Sequence, residues 1–417
     1  MPRRIRGEAR TWVPFVLVVT LAAWLASTIS ATGEWDTDTW PRIQALTHGN
    51  ITEFFRVESM MGTFASLAQA PFAAISGGGV LVAYRWSAFA CLLAAGLLGL
   101  YLAHLARRRG VPPLGQALIA GLCLVNPLTI GALEIGHPEE LLTAALAVAA
   151  IATASEGHRY RAAVLLGLAV CSKQWAVIAI LPVLMALPSS RVRVALVAGA
   201  IVAVLTFPAL IVAPDSFSAV HGAAASTGRV VSPWSVWYPA AEVTSEHHQI
   251  GSTGFTAEVH EAPPLVGSLS HPLIVFLAVG LPVALALRRG GFRLSGPDAM
   301  ALLALLALFR CALDPVDNLY YHVPLLLALL GWDALDAERL PLRGLAGTAI
   351  ALLFWEWSHN LSNVALFNFA YVTVAIAAGA IITLTLFARK VSLTDVRPVT
   401  ANCGGGLPQI RRVVSPE

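Results

Sequence analysis

Ten long apolar stretches succeed one another along this chain, at about residues 12–31, 80–104, 113–133, 138–155, 193–213, 272–288, 297–313, 319–334, 343–357 and 364–388. A helix of roughly twenty apolar residues spans a bilayer core of ~30 Å, whereas a soluble core is covered by elements with a polar face. The composition agrees, with 57% hydrophobic residues and only 12% charged ones in 417, about half the roughly 25% charge of a soluble domain. A soluble globular enzyme is excluded, and so is a disordered chain, which would be poor in apolar residues and rich in charge. The net charge of +3 is spread over short basic clusters, which gives nucleic acid no continuous surface to bind. Isolated strands cannot satisfy their backbone in lipid, so the stretches are read as helices and the fold class as an all-α polytopic membrane protein.

The basic residues orient these helices. Arg3, Arg4, Arg6 and Arg10 precede the first run, which is longer than a signal-peptide core and reads as an uncleaved anchor. Arg107–Arg109, Arg159 with Arg161, Arg191 with Arg193, Arg288, Arg289 and Arg293, Arg339 with Arg343, and Arg389 with Lys390 fall between later runs. The positive-inside rule places them all on the cytoplasmic side. The expected organisation is a cytoplasmic N-terminus at 1–11, one transmembrane domain at 12–390 with outer loops 33–79 and 214–271, and a mobile cytoplasmic tail at 391–417. A single crossing by Tyr160–Pro188 would strand Arg191 and Arg193 outside. Two half-helices broken near Cys171-Ser172-Lys173-Gln174 avoid this, and a break at depth needs a cavity or protein around it. Residues 54–76 interleave Arg56, Glu58, Ser66 and Gln69 with Phe and Met, a pattern suited to helices lying in the interface.

Every histidine except His104 and His158 falls on or near the outer side of this scheme, as do most acidic residues, so the chemistry is expected to face outward. Beyond the first helix, Glu34, Asp36 and Asp38 stand within five residues. Crowding and partial burial raise a carboxyl pKa, and such a group can take a proton from an attacking hydroxyl; a solvated acidic turn is the bland alternative. A second cluster, Glu134 to Glu140, contains His137, Glu139 and Glu140. Helix capping accounts for an acid at that position but not for His137 or the second Glu. Lys173 is one of two lysines in the chain, against 25 arginines, and sits in an apolar segment, where ionisable groups are candidate functional residues. Arg310 raises the same question. His322 follows Tyr320 and Tyr321 just past Asp314-Pro315-Val316-Asp317-Asn318. In the long outer loop Arg229 is the one basic residue, followed by Trp234 and Trp237, which suits a phosphate contact beside a sugar-stacking platform or, equally, interfacial anchoring. His247, His248 and His260 match no standard zinc spacing, and no metal ligands are assigned.

Together these features resemble the GT-C superfamily of polyprenyl-phosphate-dependent membrane glycosyltransferases, particularly its actinobacterial mannosyltransferase-like branch. The resemblance rests on Glu34-Trp35-Asp36-Thr37-Asp38 after the first helix, the interfacial segment 54–76, and Gly136-His137-Pro138-Glu139-Glu140 opening a helix. It rests also on Gly167-Leu168-Ala169-Val170-Cys171-Ser172-Lys173-Gln174 and on Asp314-Pro315 leading to Tyr320-Tyr321-His322, where the branch often has paired histidines. It implies a GT-C-like fold of about ten transmembrane helices with a pair of half-helices and interfacial helices in the first outer loop. The implied activity is inverting transfer of one mannose-like sugar from a polyprenyl-phosphate donor to a glycolipid, glycan or protein acceptor outside the bacterial cytoplasmic membrane. A first-loop Asp would be the base, Asp36 in first place and Asp38 in second. Substrate contacts would come from Glu34, His137, Glu139, Glu140, Lys173, Arg229, Trp234, Trp237, Arg310, Tyr321 and His322. No cofactor is required, although a divalent cation is compatible. A transporter or flippase with a midplane site around Lys173 is the competing expectation.

Overall fold

The computed structural model describes residues 2–57, 59, 61–225, 230–250, 253–337, 339–360 and 362–388. Arg229, Arg389, Lys390 and the tail lie outside the described residues, so the expectations placed on them do too. Among the described residues the chain is helical apart from one antiparallel hairpin, β1 (Glu242–Ile250) with β2 (Thr253–Glu261), in the long loop 214–271. Among the described residues six helical segments are long and apolar enough to cross a membrane: Val80–Arg108, Pro113–Ile135, Arg191–Val212, Pro264–Arg289, Gly296–Leu313 and Val364–Ala388.

The first half comprises α1 (Pro2–Thr28), four short helices α2 (Trp35–Asp38), α3 (Trp40–Thr47), α4 (Ile51–Arg56) and α5 (Thr63–Ala74), then α6 (Val80–Arg108), α7 (Pro113–Leu122), α8 (Pro127–Ile135) and α9 (Glu139–Ser155). The four short helices bring the chain back to where α1 ends, because Arg85 near the start of α6 donates to the Ile29 carbonyl just past α1 at 2.9 and 2.7 Å. The run expected at 113–133 is interrupted between α7 and α8. Pro127 cannot continue a hydrogen-bonded helix, and Asn126 closes both sides of the gap, donating to the Leu122 carbonyl and accepting from Thr129 N–H, each at 2.9 Å.

The break around Lys173 is present. α10 (Arg159–Ser172) ends where Lys173 turns extended (φ −149°, ψ 140°), and a 3-10 turn Gln174–Ala179 leads into α11 (Ile180–Ala186). At about 1.5 Å per α residue and 2.0 Å per 3-10 residue the two legs are each about 22 Å long. Their ends meet again, with the Arg159 guanidinium 3.1 Å from Ser190 Oγ, so the chain turns back instead of traversing the bundle. The carbonyl of Ser172 accepts from Gly62 N–H at 3.0 Å, which satisfies a group that a broken helix would otherwise leave orphaned.

The remainder is α12 (Arg191–Val212), α13 (Pro214–Ala225), the hairpin, α14 (Pro264–Arg289), α15 (Gly296–Leu313), α16 (Val323–Asp336), α17 (Leu342–His359) and α18 (Val364–Ala388). The arginine-bearing turns gather at one end. Arg108 and Arg109 bind Glu156 at 2.8 Å, Arg191 lies over Phe292, and Arg289 reaches the Leu386 carbonyl at 2.7 Å. Glu139 opens α9 at the other end, about 25 Å away along the helix axis.

Candidate functional site

Two glycines bring the segment after α1 onto the turn before α9. Gly33 (φ 56°) and Gly136 (φ 102°) both occupy the left-handed region, and a Cβ on Gly33 would strike the Ile135 carbonyl while one on Gly136 would lie 2.7 Å from Glu34 N. The close approach lets Glu34 N–H donate to the Ile135 carbonyl at 2.7 Å. Any side chain at either position would hold the strands of the turn apart. Glu34 is thereby set beside His137, 103 residues later in sequence.

From that pair a chain of charges runs inward. Glu34 Oε2 is 3.0 Å from His137 Nε2, and His137 Nδ1 is 2.9 Å from Glu139 Oε1. Lys173 Nζ stands 3.1 Å from Glu139 and 3.3 Å from Glu140, and Arg310 lies 3.7 Å from Glu140. Trp175 Nε1 donates to the other oxygen of Glu140 at 2.8 Å. Both carboxylates of α9 are fully buried, so each needs these partners to stay charged. The break at Lys173 is what frees its side chain to serve both.

Burial opposes protonation of His137, yet the charge of Glu139 and the hydrogen bonds to Glu139 and Glu34 raise it to about 9. It is therefore an imidazolium with both N–H groups donating. The hydrogen bond from His137 in turn holds Glu34 below the usual carboxylate range. Asp38 moves the other way, raised mainly by burial. Glu34, Asp38 and His137 present donor atoms within 4.8 Å of one another, but an imidazolium has no lone pair to give a metal; a cation there would rest on the two carboxylates alone.

These groups surround a cavity of about 760 Å³, within the size range of small-molecule sites. Glu34, Asp38, His137, Lys173, Arg310 and Tyr321 line it. Glu139 and Glu140 lie behind, holding the cations in place. Arg310 donates to the Tyr321 carbonyl at 3.1 Å, and its guanidinium stacks 4.2 Å over the Tyr321 ring. Tyr320 stacks on His137 with centroids 4.9 Å apart. One flank is apolar, formed by Ile178 and Leu181 from the returning half-helix and Ile274, Val275 and Val279 of α14.

Other expected residues lie elsewhere. Asp36 is exposed, accepts from Thr32 Oγ1 at 3.0 Å and is absent from the cavity wall. Trp234 packs edge-on against Phe367 and Tyr371, and Trp237 Nε1 donates to the Leu313 carbonyl at 2.8 Å. Neither ring lines this cavity. His322 faces a second, separate cavity. Sequence reasoning omitted His271, whose Nε2 is 3.8 Å from Asp314 on the cavity wall, and Trp175. Trp175 could have been found, since it follows Lys173 by two; a lone histidine on α14 carries no such signal.

The segment that carries His137, Glu139, Glu140 and Lys173 is also the one that a family model matches. Residues 56–189 match the MptA/B family model, alpha-(1->6)-mannopyranosyltransferase, N-terminal domain. No curated protein matches the chain. The resemblance to the GT-C mannosyltransferases is thereby shown over that segment, and it supports glycosyl transfer of mannose in general. The transporter alternative is not favoured. The acidic first turn and Arg310 lie outside the matched residues.

Proposed function

We propose that the chain transfers a single mannose-like sugar, with inversion, from a polyprenyl-phosphate donor to an acceptor hydroxyl at the outer face of the membrane. The observation that carries the reading is the cavity itself, which sets a carboxylate rim against two cations beside an apolar flank. Asp38 is the general base in this reading: burial raises it, and it takes the proton as the acceptor oxygen attacks the sugar's anomeric carbon. Lys173 and Arg310 stabilise the phosphate as charge develops on the departing oxygen, the role that fixed cations perform best in a partly dry site. Glu34 and His137 hold the rim, and Tyr321 supports Arg310. The polyprenyl chain lies along Ile178, Leu181 and α14, where the cavity wall is apolar.

The proposed arrangement is ten full crossings plus the re-entrant α10–α11 pair, with the arginine end cytoplasmic and the cavity extracytoplasmic. The gathering of the arginine turns at the end opposite Glu139 supports that orientation. The test is sugar transfer from polyprenyl-phosphate mannose by purified protein. Asp38→Asn should abolish it and Asp36→Asn should not; full activity of Asp38→Asn would reject Asp38 as the base.

A further inference from the structure

Behind the site, at the turn between α15 and α16, is a second cluster that the proposed reaction does not use. Cys311 in the last turn of α15, Asp317 in the connection and His322 at the end of the following 3-10 turn present donor atoms within 4.8 Å of one another. Cys311 is fully buried and Asp317 is 3% exposed. The Leu319 carbonyl, 3.1 Å from His322 Nδ1, can only accept, so the N–H is on Nδ1 and the Nε2 lone pair faces inward. This is the outer bond by which a ligating histidine is oriented.

The inward side is short of hydrogen-bond donors. His322 Nε2 and Asp317 Oδ2 are 3.7 Å apart, and the Tyr371 hydroxyl lies 3.0 Å from the first and 3.3 Å from the second. One phenolic proton cannot serve both acceptors. Asp317 Oδ1 is satisfied by Asn318 N–H at 2.8 Å, while Arg310 is directed to Tyr321 and Glu140.

The geometry points to a zinc site formed by Cys311 Sγ, Asp317 Oδ2 and His322 Nε2. Bonds of about 2.0–2.1 Å to nitrogen and oxygen imply a tetrahedral N···O edge of about 3.3 Å, so a shift of a few tenths of an ångström closes the observed pair, and sulfur, at about 2.3 Å from the metal, needs slightly more room. Thiolate, imidazole and carboxylate together suit zinc better than magnesium or calcium. Zn²⁺ displaces the thiol proton to solvent, and its two charges balance the thiolate and the carboxylate. Tyr371 or a water fills the fourth corner. The metal clips the end of α15 to the start of α16, and because Cys311 follows Arg310 and His322 follows Tyr321, it fixes the cavity-lining pair from behind.

The test is metal analysis of the full chain purified in detergent without a polyhistidine tag, incubated with zinc and desalted. About one zinc per chain is expected, falling at least tenfold in Cys311→Ser and His322→Ala but not in Asp38→Asn, which removes a carboxylate of the other cluster. Should the two ligand variants fail to fold, titration of wild-type protein against a chromophoric zinc chelator decides alone. Cobalt substituted into wild-type protein should add a thiolate-to-cobalt absorption band. Absence of stoichiometric zinc in the wild type, or an unchanged zinc content in folded Cys311→Ser and His322→Ala, overturns the site and leaves a proton-sharing Asp317–His322 pair.

Discussion

Lys173→Met is the most informative single perturbation, because the side chain stays unbranched and nearly as long while its ammonium, with both charge and donors, is lost. Lys173 Nζ lies 3.1 Å from Glu139 and 3.3 Å from Glu140, with 13% of the side chain exposed. At an effective dielectric of about 20, each contact is a gross attraction of about 5 kcal/mol, most of which offsets the desolvation of the three groups. Removing one member of such a network leaves buried carboxylate charge uncompensated, at a cost of about 3–5 kcal/mol. His137 and Arg310 remain to hold one carboxylate each, which favours the lower part of that range. Glu139→Gln should cost less alone, since Lys173 keeps Glu140. The double variant should be more stable than the sum of the two costs predicts, by about 1–3 kcal/mol. Equilibrium unfolding in mixed micelles, followed by tryptophan fluorescence, measures all four corners of the cycle. A Lys173→Met cost below about 1 kcal/mol, or single costs that simply add, would refute a buried ionic network at the break.

The remaining predictions concern the base, the imidazolium and the docking of the segment between α1 and α6. With Asp38 as base, the acid limb of the transfer-rate profile should lie above the ordinary Asp value of 3.8 because burial raises the group; an acid limb at or below that value counts against it. The His137 contribution to stability should be fully present below pH 6.5 and be lost as pH rises through about 9, because the folded state binds the proton more tightly than the unfolded one. His137→Gln should remove that step from the unfolding profile. Gly62→Ala should place a methyl against the Cys171 carbonyl, destabilise by about 1–3 kcal/mol through overpacking, and slow transfer by moving Met61 and the Lys173 break apart; unchanged stability and rate would show that the approach is not tight.

Several elements of the site were legible because their signal is local. Lys173 stands out as a cation in an apolar run, and the positive-inside requirement on Arg191 and Arg193 demands a chain reversal near it; the structure has the break at that residue. Gly136-His137-Pro138-Glu139-Glu140 carried its own excess of polar groups beyond what a helix start needs. The choice between Asp36 and Asp38 was not legible. Both lie on α2, a single helical turn, where residues two apart point about 200° from each other and do not share a face. Which of them meets the cavity depends on how α2 is rotated, and that follows from contact between Gly33 and Gly136. His322 and Trp234 line the other cavity for a related reason: proximity in sequence to Tyr321 or to a loop arginine does not tell which side of a wall a ring occupies. The Asn126 interruption was hidden because hydropathy does not register a break whose freed groups one side chain satisfies.

The sequence by itself determined that this is a helical membrane protein with arginine turns at one end and an acid-rich opposite end, because lipid permits few backbone solutions and charge in lipid is costly. Only the tertiary structure decided that Glu34, Asp38, His137, Lys173 and Arg310 share one chamber. Those five come from segments up to some 270 residues apart, and their meeting depends on close backbone approaches and buried charge pairs that no periodicity along the chain encodes.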